Sequence, residues 1–245
     1  MKIIQPDDYS LIREGQIIIG WIHPLGSGKT FMQTQAVPKK LIVVDLDNRF
    51  PYIYYNQQRQ RIPWIPSNFV RKNSFYAGYA GTFHALLSYG LLPSPKEQIA
   101  ILGSGNVSQG AFHAISKLTS EVTMFYRRTL PEFKEVLSMF DIIINGIEVG
   151  DNQPPIVTIT EQQSLKNGCF IIDIAADAGN AIEMDHFTEI DSPIYYENNH
   201  YVYCVPNTPS LAYRTVSPIL SEQFSKYIYS KDIHLFKEFV ENEMI

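Results

Sequence analysis

Residues 98–110 read QIAILGSGNVSQG, and their types and order could bind a dinucleotide. Gly103 and Gly105 separate a short apolar run, Ile99–Leu102, from a stretch where Val107, Ala111, Ala114, Ile115 and Leu118 recur at helical spacing. In a strand–turn–helix unit, the first glycine permits a tight turn. The second lets the backbone approach a pyrophosphate, and the opening N–H groups of the helix are free to bond it. Gly103, Ser104, Gly105, Asn106 and Val107 are the expected phosphate-binding residues. Ser108 stands where a third glycine is usual, and it is small enough for close helix–strand packing. Such a glycine pattern is weak alone. A second strand-like run, Val122–Tyr126, follows at the distance a βαβ unit requires and strengthens it.

The end of that second run selects among cofactors. An NAD site usually carries Asp or Glu there, to hold the ribose 2′-hydroxyl. Here the chain reads Tyr126, Arg127, Arg128, Thr129. Two guanidinium groups suit a 2′-phosphate, and no carboxylate repels it. NADP(H) is therefore expected over NAD(H). The alternative is that the arginine pair is only a solvated loop end. Asn145 and Gly146, after the run Asp141–Asn145, are expected on the nicotinamide side, or else form a plain Asn-Gly turn.

His23 stands at the C-terminal end of the apolar run Gln16–Ile22, and a histidine at a buried strand's end in an α/β fold faces a cleft more often than a core. The following Gly26–Thr30, GSGKT, resembles a phosphate-binding P-loop, but that motif needs a glycine where His23 stands. A flexible Gly-Ser loop is expected instead. His84 lies on the small-residue face of a helix-like stretch, Asn73–Tyr89, and reads as packed. Cys169 and Cys204 fall in apolar runs without metal-ligand or redox spacing, so buried thiols and no metal are expected.

The elements that must position these groups alternate. Strand-like runs occur at Gln16–Ile22, Lys40–Asp45, Ile99–Leu102, Val122–Tyr126, Asp141–Asn145, Cys169–Ile174 and Tyr201–Val205. Asn73–Tyr89, Leu130–Phe140 and Lys231–Ile245 read as helices, the last with Phe236, Phe239 and Val240 on one face. Pro209–Tyr229 also reads as mostly helical, kinked or divided at Pro218. Thr160 and Gln163 have capping-box spacing. Phe50–Pro66 has no clear period and reads as a cleft-covering loop or an irregular surface segment. Alternation of this kind indicates an α/β fold with a doubly wound parallel sheet of Rossmann type. The expected division is a nucleotide domain over 81–205 and a second, truncated substrate domain from 1–80 plus 206–245.

The composition of the 245 residues, 45% hydrophobic and 18% charged, suits a globular chain of one large or two modest domains. A net charge of −5 offers no basic surface for nucleic acid. No apolar run reaches membrane length, and the opening residues lack a signal-peptide pattern, so no membrane contact and a cytoplasmic location are expected.

Five segments, IIIGWIHP (17–24), SFYAG (74–78), LGSGNVSQGA (102–111), IDIAADAGNAIE (172–183) and YCVPNTPS (203–210), together resemble the alanine dehydrogenase family, in the family's order. The run VTMFYRRT resembles its N5-(carboxyethyl)ornithine synthase branch. That branch reductively couples an amino acid's amine to pyruvate with NADPH. The resemblance implies a catalytic set of His23, Lys2 and Asp177, with Asn207 at the cofactor or substrate. Lys2 would polarise a ketone or hold a carboxylate, His23 carry a proton, and Asp177 stabilise positive charge. Read without the resemblance, these positions could equally be a frayed terminus, a helix cap and a turn residue. The family carries further sheet and helix ahead of the lysine strand, including an arginine for the substrate carboxylate, whereas Met1 falls inside that strand. The resemblance thus implies a missing part supplied by a second polypeptide, a reduced substrate domain, or lost turnover. The last case leaves an inactive or partner-dependent NADP-binding subunit. Phe75 stands where alanine dehydrogenases are acidic, which weakens a simple alanine dehydrogenase assignment. Family habit and the helical C-terminus imply a homodimer or higher oligomer.

Overall fold

A computed structural model describes residues 6–25, 28–47, 49–149, 153–175, 181–183 and 185–244. The chain divides into two compact units, residues 72–216 and residues 1–71 with 217–245.

The 72–216 unit is built on a six-stranded sheet. Its strands are β5 (Ile99–Leu102), β6 (Val122–Phe125), β7 (Ile142–Asn145), β8 (Phe170–Asp173), β9 (Ile194–Glu197) and β10 (His200–Tyr203), in the order β6-β5-β7-β8-β10-β9. All pairs are parallel except the hairpin β9–β10. The central strands IAIL, IIIN and FIID are buried along their whole length, so helices must cover both faces. One face packs on α2 (Arg71–Tyr89) and α3 (Asn106–Ile115) through Ala85, Leu86, Ala111 and Ile115. The other packs on Phe133 of α4 (Leu130–Glu135), Leu137 and Phe140. α2 and α3 meet backbone to backbone. A Cβ on Gly78 would overlap the Val107 carbonyl oxygen, and one on Gly110 would overlap that of Phe75. The small face of α2 serves this crossing.

The other unit holds a four-stranded sheet, β1 (Ile17–Gly20), β2 (Ile42–Asp45), β3 (Tyr52–Tyr55) and β4 (Gln58–Arg61), in that order. β1–β2 is parallel and the next two pairs are antiparallel. One face is covered by Ile228 and by Phe236 and Val240 of α7 (His234–Glu243). Phe31 of the short helix α1 (Lys29–Phe31) and Ala36 just beyond it cover the other face.

Several elements differ from the sequence reading. Phe50–Pro66 contains the hairpin β3–β4, closed by Asn56 and Gln57 with φ of 45° and 65°. A two-residue turn with both φ positive suits a hairpin, but Gln in place of Gly hides the signal. β4 (QRQR) is exposed throughout, so no hydrophobic alternation marks it. The cap near residue 160 lies two residues earlier: Thr158 Oγ1 accepts from Glu161 N–H at 3.2 Å, and the Glu161 carboxylate accepts from Thr158 N–H at 2.9 Å. The helix it caps, α5 (Ile159–Gln162), is a single turn. The 130–140 helix ends at Glu135 and continues as a 3-10 turn, Leu137–Met139. Pro218 lies inside α6 (Tyr213–Phe224), two residues past the last residue of the 72–216 unit. No helix among the described residues is long and apolar enough to cross a membrane.

Candidate functional site

Strand order in the larger sheet reverses between β5 and β7, and α/β folds bind ligands beyond the carboxyl ends of strands at such a point. A cleft of about 440 Å3 lies there. Gly103, Ser104 and Gly105 line it from the end of β5, Tyr126, Arg127 and Arg128 from β6, and Gly146, Ile147 and Glu148 from β7. The register puts these ends level: Leu102 pairs with Phe125 on one side and Asn145 on the other.

The residues fit a dinucleotide. Gly103 adopts φ +103°, which a side chain rarely allows, and Gly103 N–H donates to Phe125 O at 2.7 Å to turn the chain. A Cβ on Gly105 would meet nothing within 4 Å, so this residue's outer side faces open space. Gly105 is also the N-cap of α3, whose ladder starts with Gln109 N–H to Gly105 O at 2.9 Å. The amides of Asn106 and Val107 precede that first bond, as anion-binding amides do at a helix start. Ser108 is buried and donates from Oγ to Leu102 O at 2.9 Å, tying α3 to β5.

The two arginines differ in their surroundings. Arg127 Nη2 donates to Glu148 O at 2.8 Å, while Arg128 makes no hydrogen bond or ion pair among the described residues. Thr129 Oγ1 accepts from Tyr126 N–H at 2.8 Å and so braces the turn that presents both. The cleft also holds one carboxylate, Glu148, on the β7 loop and not at the end of β6.

Asn145 is fully buried, and its side chain points inward. Its amide Nδ2 donates to Asp173 Oδ1 at 2.9 Å and to Ile147 O at 3.1 Å, and its Oδ1 accepts from Ile147 N–H at 3.0 Å. The side chain thereby holds the turn that presents Gly146. Asp185 is a second buried acid. Asp185 Oδ1 accepts from Tyr195 Oη at 3.0 Å. Burial, then the nearby Asp173 charge, push the Asp185 carboxyl up to about 8. Asn207 sits beyond β10 with φ 58°, exposed, at the start of a 3-10 turn, Thr208–Ala212.

In the other unit β1 and β2 end side by side, with Gly20 paired to Asp45. Buried Asp45 Oδ1 accepts from Ile22 N–H at 3.0 Å and fixes the exit of β1. His23 follows, with φ 48°, and its Nδ1 lies 3.1 Å from Asp47 Oδ2. A carboxylate on one ring nitrogen orients an imidazole and leaves the other nitrogen for proton transfer. Asp47 as this partner was not found from sequence; the signal available was two apolar runs, one followed by His23 and the other by Asp47. Lys2 and Asp177 lie outside the described residues.

His84 is packed: its Nδ1 lies 3.0 Å from Tyr203 Oη, and burial lowers its pKa. Cys169 and Cys204 are both buried, and burial pushes the Cys169 thiol up to about 12.

Residues 116–245 match the family model described as Alanine dehydrogenase/PNT, C-terminal domain. The chain is 58% identical over 238 residues to the N(5)-(carboxyethyl)ornithine synthase of Lactococcus lactis subsp. lactis, covering 97% of this chain and 76% of that one. It is 52% identical over 240 residues to the synthase of the same name from Clostridium botulinum, covering 98% and 76%. A solved L-alanine dehydrogenase superposes with a TM-score of 0.66 at 19% identity, over 98% of this chain and 70% of that one, a likeness of fold.

Proposed function

The chain belongs to the alanine dehydrogenase/PNT family, and from that premise we propose that it is an NADP(H)-dependent oxidoreductase that reductively joins an amino acid's amine to a 2-oxo acid. Its relatives make this an oxidoreductase of the amino-acid dehydrogenase type with a nicotinamide nucleotide. The name of the synthases places a carboxyethyl group on N5 of ornithine. Pyruvate is the 2-oxo acid whose reduced imine leaves a carboxyethyl group on nitrogen, so pyruvate and ornithine are the proposed pair. Condensation expels water, and reduction of the C=N bond consumes one NADPH and one proton. The nicotinamide supplies the hydride.

The protein's residues bind, orient and move protons. The Gly103–Val107 turn holds the pyrophosphate, and Arg128 takes the 2′-phosphate with Arg127 beside it. Tyr126 presents a half-exposed ring to the adenine side of the same cleft. His23, oriented by Asp47, gives a proton to the departing oxygen at condensation and takes one from the amine. Lys2 holds the oxo-acid carboxylate, Asp177 stabilises the positive charge on the condensing nitrogen, and Asn207 bonds the carboxamide or the substrate.

The arginine pair lining the cleft at the strand-order reversal carries this reading. The test is NADPH consumption at 340 nm by the purified chain with pyruvate and L-ornithine. Turnover with NADPH well above NADH, lost in His23→Ala while NADPH affinity persists, is the expected result. Tight NADPH binding with no consumption over a panel of amines and 2-oxo acids would overturn it in favour of a binding subunit.

A further inference from the structure

The GSGKT stretch has no part in the reaction described above, yet Lys29 opens onto a second cavity, contained wholly in the unit of residues 1–71 and 217–245. Its volume is about 710 Å3. Lys29, Met32 and Gln33 of the helical segment, with Val37 just past its end, form one wall, and Tyr54 and Arg59 of the β3–β4 hairpin form another.

Three observations point to a ligand. The charged groups lining this cavity are Lys29 and Arg59, and no carboxylate lines it. Neither cation makes an ion pair among the described residues. Tyr54 is 7% exposed, and its buried hydroxyl lies near the Arg59 side chain without a partner in hydrogen-bond geometry among the described residues. A buried hydroxyl without a partner is destabilising, so such groups are rare unless something fills the role. Burial raises the Tyr54 pKa, with Arg59 opposing, so the phenol stays protonated and able to donate. Tyr54 faces Arg59 directly across the hairpin, so phenol and guanidinium share one face of the sheet. Met32 and Val37 add an apolar floor opposite these donors.

We propose that this cavity is a binding site for a small carboxylate with a short hydrocarbon body, held by Lys29, Arg59 and the Tyr54 hydroxyl and separate from the nucleotide cleft. Two cations and a neutral donor match a carboxylate's two oxygens, and the apolar wall matches a hydrocarbon better than it matches a bare phosphate. The site does not depend on the reaction assigned above.

The probe is n-butyrate, which has a carboxylate and a hydrocarbon body but no ketone to reduce. Calorimetric titration of the full chain is the measurement, with inorganic phosphate as a second arm. The expected result is saturable butyrate binding, weakened at least about tenfold in Lys29→Ala/Arg59→Ala, where two charge-assisted bonds are lost. Tyr54→Phe weakens it less and leaves the melting temperature unchanged or higher, since it deletes an unsatisfied buried group. His23→Ala retains the binding. Absence of butyrate binding, binding of phosphate alone, or butyrate heat unchanged by the double substitution or abolished by His23→Ala would each overturn the proposal.

Discussion

Arg127 and Arg128 sit at the same strand end with different commitments. Arg127 already donates to the Glu148 carbonyl, so its guanidinium is anchored to the β7 loop. Arg128 has no such bond among the described residues and lines the cleft. Arg128→Ala should therefore raise the KM for NADPH about 10- to 100-fold, the range for a lost hydrogen bond to a charged group, and leave the KM for NADH within about twofold. Steady-state kinetics with both cofactors check this. Equal losses for both would remove Arg128 from 2′-phosphate recognition. Asp47 is argued in the same way from its contact with His23. Asp47→Ala should lower kcat more than about tenfold with NADPH affinity unchanged, and Asp47→Asn, which still accepts from Nδ1, should lose less. The place of the arginine pair at the cleft was legible because it follows from position in a repeated strand–helix unit. The His23–Asp47 contact was not, because it joins residues from two strands whose lateral pairing no local pattern announces.

At the scale of elements, α3 carries two glycines with opposite duties. Gly105, its N-cap, faces open space, whereas Gly110 lies against the backbone of α2. Gly105→Ala should leave the melting temperature nearly unchanged and weaken NADPH binding, because the new methyl occupies pyrophosphate space. Gly110→Ala forces two backbones apart and should destabilise the fold by about 1–3 kcal/mol or more. Thermal melts with and without NADPH separate the two effects; a large melting shift in Gly105→Ala would show that the turn serves packing and not phosphate. Strands buried on both faces were readable as apolar runs. The β3–β4 hairpin was not, since an exposed QRQR strand and an Asn-Gln turn carry no periodic signal. The Thr158 cap shows a finer failure. Thr158 and Thr160 compete on local spacing, and the partner Glu161 decides for Thr158.

For the molecule as a whole, a buried acid links stability to pH. Asp185 is held up to about 8 by burial, with Asp173 and, more weakly, Glu197 adding repulsion, and its Oδ2 has no hydrogen-bond partner among the described residues. An acid whose folded pKa is raised binds its proton more tightly in the folded chain, so the stability it contributes is full below its unfolded pKa. It is lost as pH rises from about 4 towards about 8. Asp185→Asn copies the protonated form and cannot ionise. The variant's melting temperature should exceed that of the parent by more at pH 8 than at pH 5. A gain that does not grow with pH would show that Asp185 does not titrate in this window.

By themselves, the residues in order determined that a strand, a glycine turn and a helix open a doubly wound nucleotide unit with two arginines at its second strand. Those signals are local: burial, turn geometry and helix period act within a few residues. Tertiary structure alone decided that Asn145 turns inward to Asp173, that His23 meets Asp47, and that Lys29 lines one cavity with Tyr54 and Arg59. Each of these joins residues on different strands or helices. Such contacts depend on strand order and register, which the packing of whole faces sets.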